Sequence, residues 1–559
     1  MVTRPFRFGT LHRKFTRPDA LTMNRAEMLQ RFHADASAWD VLIIGGGATG
    51  LGAAVEAAAR GHRTALVEQG DFAQATSSRS TKLIHGGIRY LKRGQLPLVR
   101  ESLRERGRLL RNAPHLVRPL PFIVPNYAWW ERPYFGTGLK LYDWLAGDLG
   151  LGASKHLSRA ETLAHIPTLE AAGLRGGICY HDGQFDDARL AITLARTAAD
   201  LNGVVVNYLK VVSLLKENHR VCGAVVRDLE TGNGFELRAR VVINATGVFT
   251  DELRRLDDAA APTLLTLSQG AHLILDKSFL PGDCALMSPH TADGRVFFAI
   301  PWRNRTLIGT TETPVTQAVL EPHPLNSEIE FLLAHAGRHL TRKPVVADVL
   351  SVFAGLRPLV KADSGKATST LSRSHRVIVS SSGLVTITGG KWTTYRQMAE
   401  DAMDRATAVG NLPVKPSPTA NLKLHGWRET SCRRRGDESQ IKKASETPHV
   451  VAGNFDEYGA DAEQVRALCD ITPNGNTLLH PRLPFVAGEV IWAVRHEMAR
   501  TLEDLLARRL RALPMDARAS LEIAPHVARL MATELGRDAA WENQQVSKFQ
   551  ELAGGYLCK

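Results

Sequence analysis

Asp40-Val41-Leu42-Ile43-Ile44-Gly45-Gly46-Gly47-Ala48-Thr49-Gly50 is the stretch from which the rest of the chain is read. Val41 to Ile44 is an apolar, β-branched run of strand length, stopped by glycine. Thr49 to Arg60 is rich in alanine and reads as a helix, with Gly61 placed to end it. Thr64 to Val67 then reads as a second buried strand, closing at Glu68. The glycines fall as Gly45-x-Gly47-x-x-Gly50. Gly45 permits the tight turn, Gly47 lets a pyrophosphate approach the backbone, and Gly50 allows the helix to pack close on the strand. The helix N-terminus turns its free N–H groups toward the phosphates. Glu68 follows Gly50 by 18 residues, where a carboxylate accepts hydrogen bonds from an adenosine ribose and disfavours a 2′-phosphate.

Two later motifs favour FAD over NAD at this site. Ala245-Thr246-Gly247 ends a predicted strand, and Gly389-Gly390-Lys391 ends another, before the helix-like Thr393–Ala408. A flavin stretched across one domain needs several such close backbone approaches, and a helix N-terminus stabilises the negative charge of a reduced ring.

The chain has 559 residues with 44% hydrophobic and 23% charged, which excludes a wholly disordered, collagen-like or small disulfide-scaffold protein. The formal net charge of +13 suits nucleic acid, an anionic membrane or an anionic substrate without choosing among them. The six cysteines (Cys179, Cys222, Cys284, Cys432, Cys469, Cys558) are scattered, with no Cys-x-x-Cys pair. No zinc or dithiol motif follows, and isolated thiols suit a reducing cytosol. No apolar run is long enough to span a bilayer. Met1–Leu21 is basic and lacks a secretory apolar core.

Four regions emerge: a basic extension 1–38 with one short helix near Arg25–His33; a body 39–410; a proline-bearing linker 411–449 that contains Arg433-Arg434-Arg435; and a helical region 450–559. Within the body, hairpins are predicted around Glu217-Asn218-His219 and Arg303-Asn304. Ile491, Val494, Met498, Leu502, Leu505 and Leu506 predict one helix over Glu489–Arg511, with Arg508, Arg509 and Arg511 favoured near its C-terminus by the dipole.

Thr76-Ser77-Ser78-Arg79-Ser80-Thr81-Lys82-Leu83-Ile84-His85-Gly86-Gly87-Ile88-Arg89-Tyr90-Leu91 resembles the signature of FAD-dependent glycerol-3-phosphate dehydrogenases. The resemblance continues at Asp186-Asp187-Ala188-Arg189-Leu190, Asn244–Gly247, Ile300-Pro301-Trp302 and Leu307–Thr311. It runs on through Ala354-Gly355-Leu356-Arg357-Pro358-Leu359, Gly389–Arg396 and Glu489–Arg509, over roughly residues 38–555. It implies a Rossmann-like FAD-binding domain of the amino-acid-oxidase type, an interleaved β-rich substrate domain and a C-terminal helical domain. The implied reaction oxidises sn-glycerol 3-phosphate to dihydroxyacetone phosphate and passes electrons to a membrane quinone. By position, Arg89, Tyr90, His272, Arg357, Arg373 and Lys391 are implied at the substrate. Gly45, Gly47, Gly50, Glu68, Ser77, Ser78, Thr81, Ala245, Gly247, Gly389 and Gly390 are implied at the flavin. Trp392, Gln269 and Ser374 depart from the family's usual residues and bear on pocket polarity.

A phosphate monoester carries close to two negative charges, so taking it from water needs several cationic donors. Arg89, Arg357 and Arg373 form a sensible anion clamp, since a guanidinium fork matches phosphate oxygens two at a time. Removal of the hydroxyl proton calls for a base, and His272 and Lys391 compete for that role. Lys391 could instead stabilise the reduced flavin. Non-covalent FAD is expected, with His85 the one side chain to watch. A glycerol-3-phosphate oxidase using oxygen and an inactive flavin-binding paralogue are the alternatives. No metal and no nucleic-acid partner are expected, and a homodimer is left open. The expected location is cytoplasmic, held peripherally on the inner face of an anionic membrane by the basic lead-in, Lys92-Arg93 and Arg433–Arg435.

Overall fold

The computed structural model describes residues 23–34, 37–91, 94–289, 296–361, 375–428 and 455–558. Its first sheet is built on the strand Trp39–Ile44. Thr64–Val67 pairs parallel on one side and Gly234–Asn244 on the other. Val204–Val206 and Val385–Gly389 extend the sheet in parallel, and His375–Val379 closes one edge antiparallel. Val41, Leu42, Ile43, Leu66 and Val205 have no solvent exposure. Such unbroken apolar runs suit strands covered on both faces. The helices Ala48–Ala59, Asp187–Asp200 and Tyr395–Val409 pack together over the sheet. The first predicted hairpin is present as Leu209–Glu217 with Arg220–Asp228, which lengthens this sheet through Gly234–Asn244.

Among the described residues the second sheet has ten strands. Toward one end of it, Leu265–Asp276 and Val349–Val360 pair antiparallel along nearly their full length. This register sets Arg357 opposite Ser268 and Phe353 opposite His272. The predicted turn at Arg303-Asn304 joins Phe297–Trp302 to Arg305–Gly309, both turn residues having positive φ (48° and 58°), as a tight hairpin of right-twisted strands requires. Leu83–Ile84 pairs with Gly176–Phe185, so the chain just after the first glycine motif is stitched to the second sheet.

The helix Arg25–Ala34 lies within the expected extension, yet it is docked. Met28 and Phe32 are buried in the core of the first sheet, and Arg25 pairs with Asp228 at 2.7 Å. Of the expected linker, residues 411–428 also pack on the body: Leu412 and Leu424 are buried and Asn112 Nδ2 donates to the Thr419 carbonyl at 3.2 Å. Residues 1–22, Lys92-Arg93 and 429–454, including Arg433–Arg435, lie outside the described residues.

The C-terminal part is helical, with Ala462–Ile471, Ala487–His496, Ala517–Leu535 and Ala539–Gly554. The single helix predicted over Glu489–Arg511 is corrected. It ends at His496, Met498 has φ 53°, a π-helical turn covers Asp504–Arg509, and Arg511 has φ 69°. The three arginines do not line a solvated helix end. Arg508 Nε and Arg509 Nη1 each reach Asp71 at 2.6 Å, and Arg511 Nη2 reaches Asp187 at 2.9 Å, all fully buried. A regular helix would spread these side chains around its axis, and the broken backbone aims all three at two carboxylates of the flavin-side body. Part of the basic surplus is therefore spent inside the molecule. No helix among the described residues is long and apolar enough to cross a membrane.

Candidate active site

A cavity of about 630 Å³ opens where the two sheets meet. It is lined by Gly45, Gly47, Glu68, Ser77, Thr81, Ala245, Gly247, His272, Arg357, Gly389, Gly390 and Lys391. Segments far apart in sequence are brought together because the parallel strands all end at this edge. Gly45 has φ +115°, and a Cβ there would lie 2.6 Å from the Ala245 carbonyl oxygen. A Cβ at Gly50 would lie 1.8 Å from the Gly45 carbonyl oxygen, so Gly50 serves the close helix–strand packing rather than the cavity wall. The helix N-terminus opens into the cavity through Gly47, Ala48 and Thr49. Glu68 accepts the Gly46 and Gly70 N–H groups at 2.6 and 2.8 Å, and burial pushes its carboxyl above the usual range. A cradle free of Cβ atoms, a helix N-terminus and a buried acid at the strand end together fit the pyrophosphate and ribose of a dinucleotide.

The loop after the glycine motif presents Ser77 and Thr81 to the cavity. Ser77 Oγ accepts the Ala48 N–H at 2.9 Å. Ser78 is buried behind the cavity wall, and its carbonyl accepts Lys82 Nζ at 2.8 Å and Arg511 Nη2 at 2.9 Å. Lys82 also reaches Asp187 at 2.6 Å, and burial lowers its ammonium to about 7 despite that partner. This buried Lys82–Asp187–Arg511 group holds the loop from beneath. In the sequence Lys82 and Asp187 stand inside motifs and Arg511 at the end of a predicted helix, with nothing to connect the three.

At the other end, His272 is buried, with Nε2 2.9 Å from Thr81 Oγ1 and its ring stacked on Phe353 at 4.9 Å. Burial first, then the Lys82 and Arg357 cations, hold its pKa well below the usual histidine value. The imidazole is therefore neutral at neutral pH. Arg357 donates to the Thr311 carbonyl at 3.1 Å and to Thr310 Oγ1 at 3.0 Å, with its guanidinium at the cavity wall. Gly270 makes room for it, since a Cβ there would lie 2.3 Å from Nη2. Lys391 Nζ donates to Ser102 Oγ at 2.6 Å. A smaller chamber of about 120 Å³ adjoins this end, lined by Thr81, His85, Asp182, Thr311, Glu312 and Arg357. Thr310 and Thr311 stand inside the motif Leu307–Thr311 without an assigned role, and Asp182 carries no signal in the sequence.

Arg89 and Tyr90 belong to the short helix Ile88–Leu91, and their side chains lie outside the described residues, as do Arg373 and Ser374. The departure Trp392 is used structurally: its indole N–H donates to the Ser77 carbonyl at 2.9 Å and its ring meets Phe185 and Tyr395 edge-on. Gln269 Nε2 donates to Glu328 at 2.8 Å and to the His323 carbonyl at 3.0 Å.

Residues 40–396 match the family model for FAD dependent oxidoreductases, and residues 417–542 that for the C-terminal domain of alpha-glycerophosphate oxidase. The mitochondrial glycerol-3-phosphate dehydrogenase of Homo sapiens is 40% identical over 549 residues, covering 94% of this chain and 74% of the relative. That of Arabidopsis thaliana is 40% identical, covering 92% and 85%. The crystal structure of glycerol-3-phosphate dehydrogenase from Bacillus halodurans complexed with FAD superimposes with a TM-score of 0.76 at 29% identity, over 96% of this chain and 98% of that one. These comparisons overturn the expected cytoplasmic placement, because the curated relatives are mitochondrial proteins. With the glycine cradle, the two-sheet architecture and both halves matched, the chain belongs to the FAD-dependent glycerol-3-phosphate dehydrogenase family.

Proposed function

We propose that this chain oxidises sn-glycerol 3-phosphate to dihydroxyacetone phosphate with FAD as cofactor, and passes the electrons to a membrane quinone. The observation that carries this reading is the convergence of His272, Arg357 and Lys391 on the same cavity as the glycine cradle. Bound FAD supplies the two-electron acceptor for the substrate's hydride. Gly45, Gly47, Glu68, Ser77, Thr81, Ala245, Gly247, Gly389 and Gly390 would hold it, with Gly50 and Ser78 supporting the cradle from behind. Arg357 offers its fork to the substrate phosphate, and Arg89, Tyr90 and Arg373 join it on the strength of the motif alone. His272 Nε2, neutral and bonded to Thr81 Oγ1, is placed to take the hydroxyl proton. Lys391 supplies positive charge at the ring end of the cavity.

The domain division that fits this reading keeps a flavin and substrate body at 39–410, a connection at 411–449 and a helical domain at 450–559. The helix Arg25–Ala34 is docked on the body.

Membrane contact is supported by one surface. The helix Glu131–Ala146 and the turn before it carry Trp129 and Trp144, each 75% exposed, together with exposed Trp130, Tyr134 and Leu141. Aromatic side chains of this kind settle at the headgroup level of a bilayer. Among the described lead-in arginines, Arg25 is buried against Asp228 and half-buried Arg31 donates to the Asn202 carbonyl. We therefore read the contact as aromatic insertion assisted by charge.

The test is the flavin spectrum of the purified protein after anaerobic addition of glycerol 3-phosphate. Rapid bleaching is expected, and an unchanged oxidised spectrum would sink the proposal. Oxidase activity is the second reading, favoured by the match of residues 417–542. Peroxide formed in stoichiometric yield without a quinone would establish it.

A further inference from the structure

A second cleft, of about 560 Å³, lies between the edge of the ten-stranded sheet and the helical domain. It shares no lining residue with the flavin-side cavity. Its walls combine aromatic surface, from Phe185, Trp302 and Phe485, with several guanidinium groups. Two of these stand apart, one exposed and one buried. Arg118 donates through Nε and Nη2 to Gln184 Oε1 at 3.0 and 2.7 Å. Arg305 is buried, donates to the Asn304 carbonyl at 2.9 Å and the Arg482 carbonyl at 2.8 Å, and its Nε has no partner. Neither makes an ion pair among the described residues. Both are held by neutral acceptors and keep a full positive charge toward the cleft.

The carboxylates nearby are engaged elsewhere. Asp186 and Glu457 are both held by Arg303, Asp456 pairs with Arg428 at 2.7 Å, and Glu489 accepts from the Tyr458 hydroxyl at 3.0 Å. Asp516 and Asp276, whose charges act on Arg305, make no contact ion pair with it: Asp516 accepts the Ala519 N–H and lies 3.5 Å from Arg482, and Asp276 accepts the Ser278 N–H. Burying the Arg305 guanidinium without a carboxylate in contact is costly, and the cost falls when an anion from solution adds negative charge beside it; exposed Arg118 brings a second cation to the same cleft. Two planar forks in one cleft suit the oxygens of a phosphate group, while the aromatic wall and the volume accommodate a short carbon skeleton.

We propose that this cleft is a binding site for a phosphate dianion, free or carried on a small carbon skeleton, separate from the substrate site. Gln184 orients one fork: its Oε1 accepts from Arg118 while its Nε2 donates to the Pro301 carbonyl at 2.7 Å, beside the hairpin that carries Arg305. The cleft also backs onto the flavin loop. Asp186 lines it, and the next residue, Asp187, accepts the Ser80 N–H at 2.9 Å and Lys82 Nζ at 2.6 Å. An anion seated here is thus in a position to bias the loop that presents Ser77 and Thr81.

Equilibrium dialysis of the FAD-loaded full chain against inorganic phosphate and, separately, glycerol 2-phosphate tests this. Wild type is expected to hold an equivalent of anion beyond that at the substrate site, and this additional equivalent persists in Arg357→Ala. Arg118→Gln and Arg305→Gln are each expected to weaken that equivalent about tenfold or more, as loss of a charge-assisted hydrogen bond does. Arg118→Lys should recover part of it. Should Arg305→Gln fail to fold, Arg118→Gln carries the test, because that side chain is exposed to the cleft. Tighter binding of glycerol 2-phosphate identifies an organic phosphate as the ligand, and equal binding identifies free phosphate. Absence of any equivalent in Arg357→Ala, or one that Arg118→Gln leaves unchanged, would overturn the proposal.

Discussion

Arg511 of the C-terminal part and Asp187 of the flavin-side body meet at 2.9 Å with both side chains buried, and the same guanidinium donates to the Ser78 carbonyl. The helical domain therefore supports the floor of the flavin loop directly. Arg511→Met should lower the stability of the folded chain by about 3 kcal/mol, the lower end for breaking a buried pair, because Lys82 still holds Asp187. It should also speed flavin release. Denaturant unfolding and flavin fluorescence measure both. An unchanged unfolding midpoint would remove this interface from the account of the site.

His272→Asn should slow flavin reduction about 10²- to 10⁴-fold while leaving substrate affinity nearly intact. The pH profile adds a second check. Burial and two neighbouring cations hold the His272 pKa well below the ordinary value of about 6.5. The unprotonated form then dominates down through that range, so the acid limb of kcat/KM should lie below pH 6.5. The same depression makes the native state bind fewer protons than the unfolded chain, so the stability from a neutral His272 is lost as pH falls below about 6.5. If His272→Asn changes only the apparent affinity, His272 is a positioning residue and Lys391 takes the proton.

Arg357→Ala should reduce kcat/KM for glycerol 3-phosphate about 10- to 150-fold or more, about 10- to 150-fold being the cost of one charge-assisted hydrogen bond. Flavin content should stay normal, because the glycine cradle is untouched. Equal specificity constants for variant and wild type would show that the phosphate is held elsewhere.

What could be read in the sequence, and what could not, follows from the range of the forces involved. Val41–Ile44, the glycines after it and Thr64–Val67 were legible because a buried parallel strand and a tight turn write their demands into adjacent residues. His272 and Arg357 were legible only through the resemblance, since their meeting depends on strand register across the second sheet. The pairing of Asp71 with Arg508 and Arg509 joins opposite ends of the chain and leaves no local trace. For that reason the three arginines read as an ordinary helix end. Trp129 and Trp144 were equally silent, because an exposed tryptophan and a core tryptophan look alike in sequence.

The exposed aromatic surface gives the last prediction. A tryptophan that moves from water to the headgroup level removes a large apolar area from solvent, an amount worth a few kcal/mol for full burial. Replacing Trp129 and Trp144 together by serine should therefore weaken binding to phosphatidylcholine vesicles about tenfold or more, and high salt should leave the wild-type interaction largely in place. Flavin reduction by glycerol 3-phosphate should be unaffected, because neither side chain lines the flavin-side cavity. Quinone reduction in vesicles should fall with the binding. Cosedimentation in low and high salt, run beside both electron-transfer assays, separates the accounts. Binding that disappears in high salt, and is indifferent to the two tryptophans, would assign attachment to the basic segments. Quinone reduction that persists without any vesicle binding would mean that electrons leave the flavin by a route away from this helix.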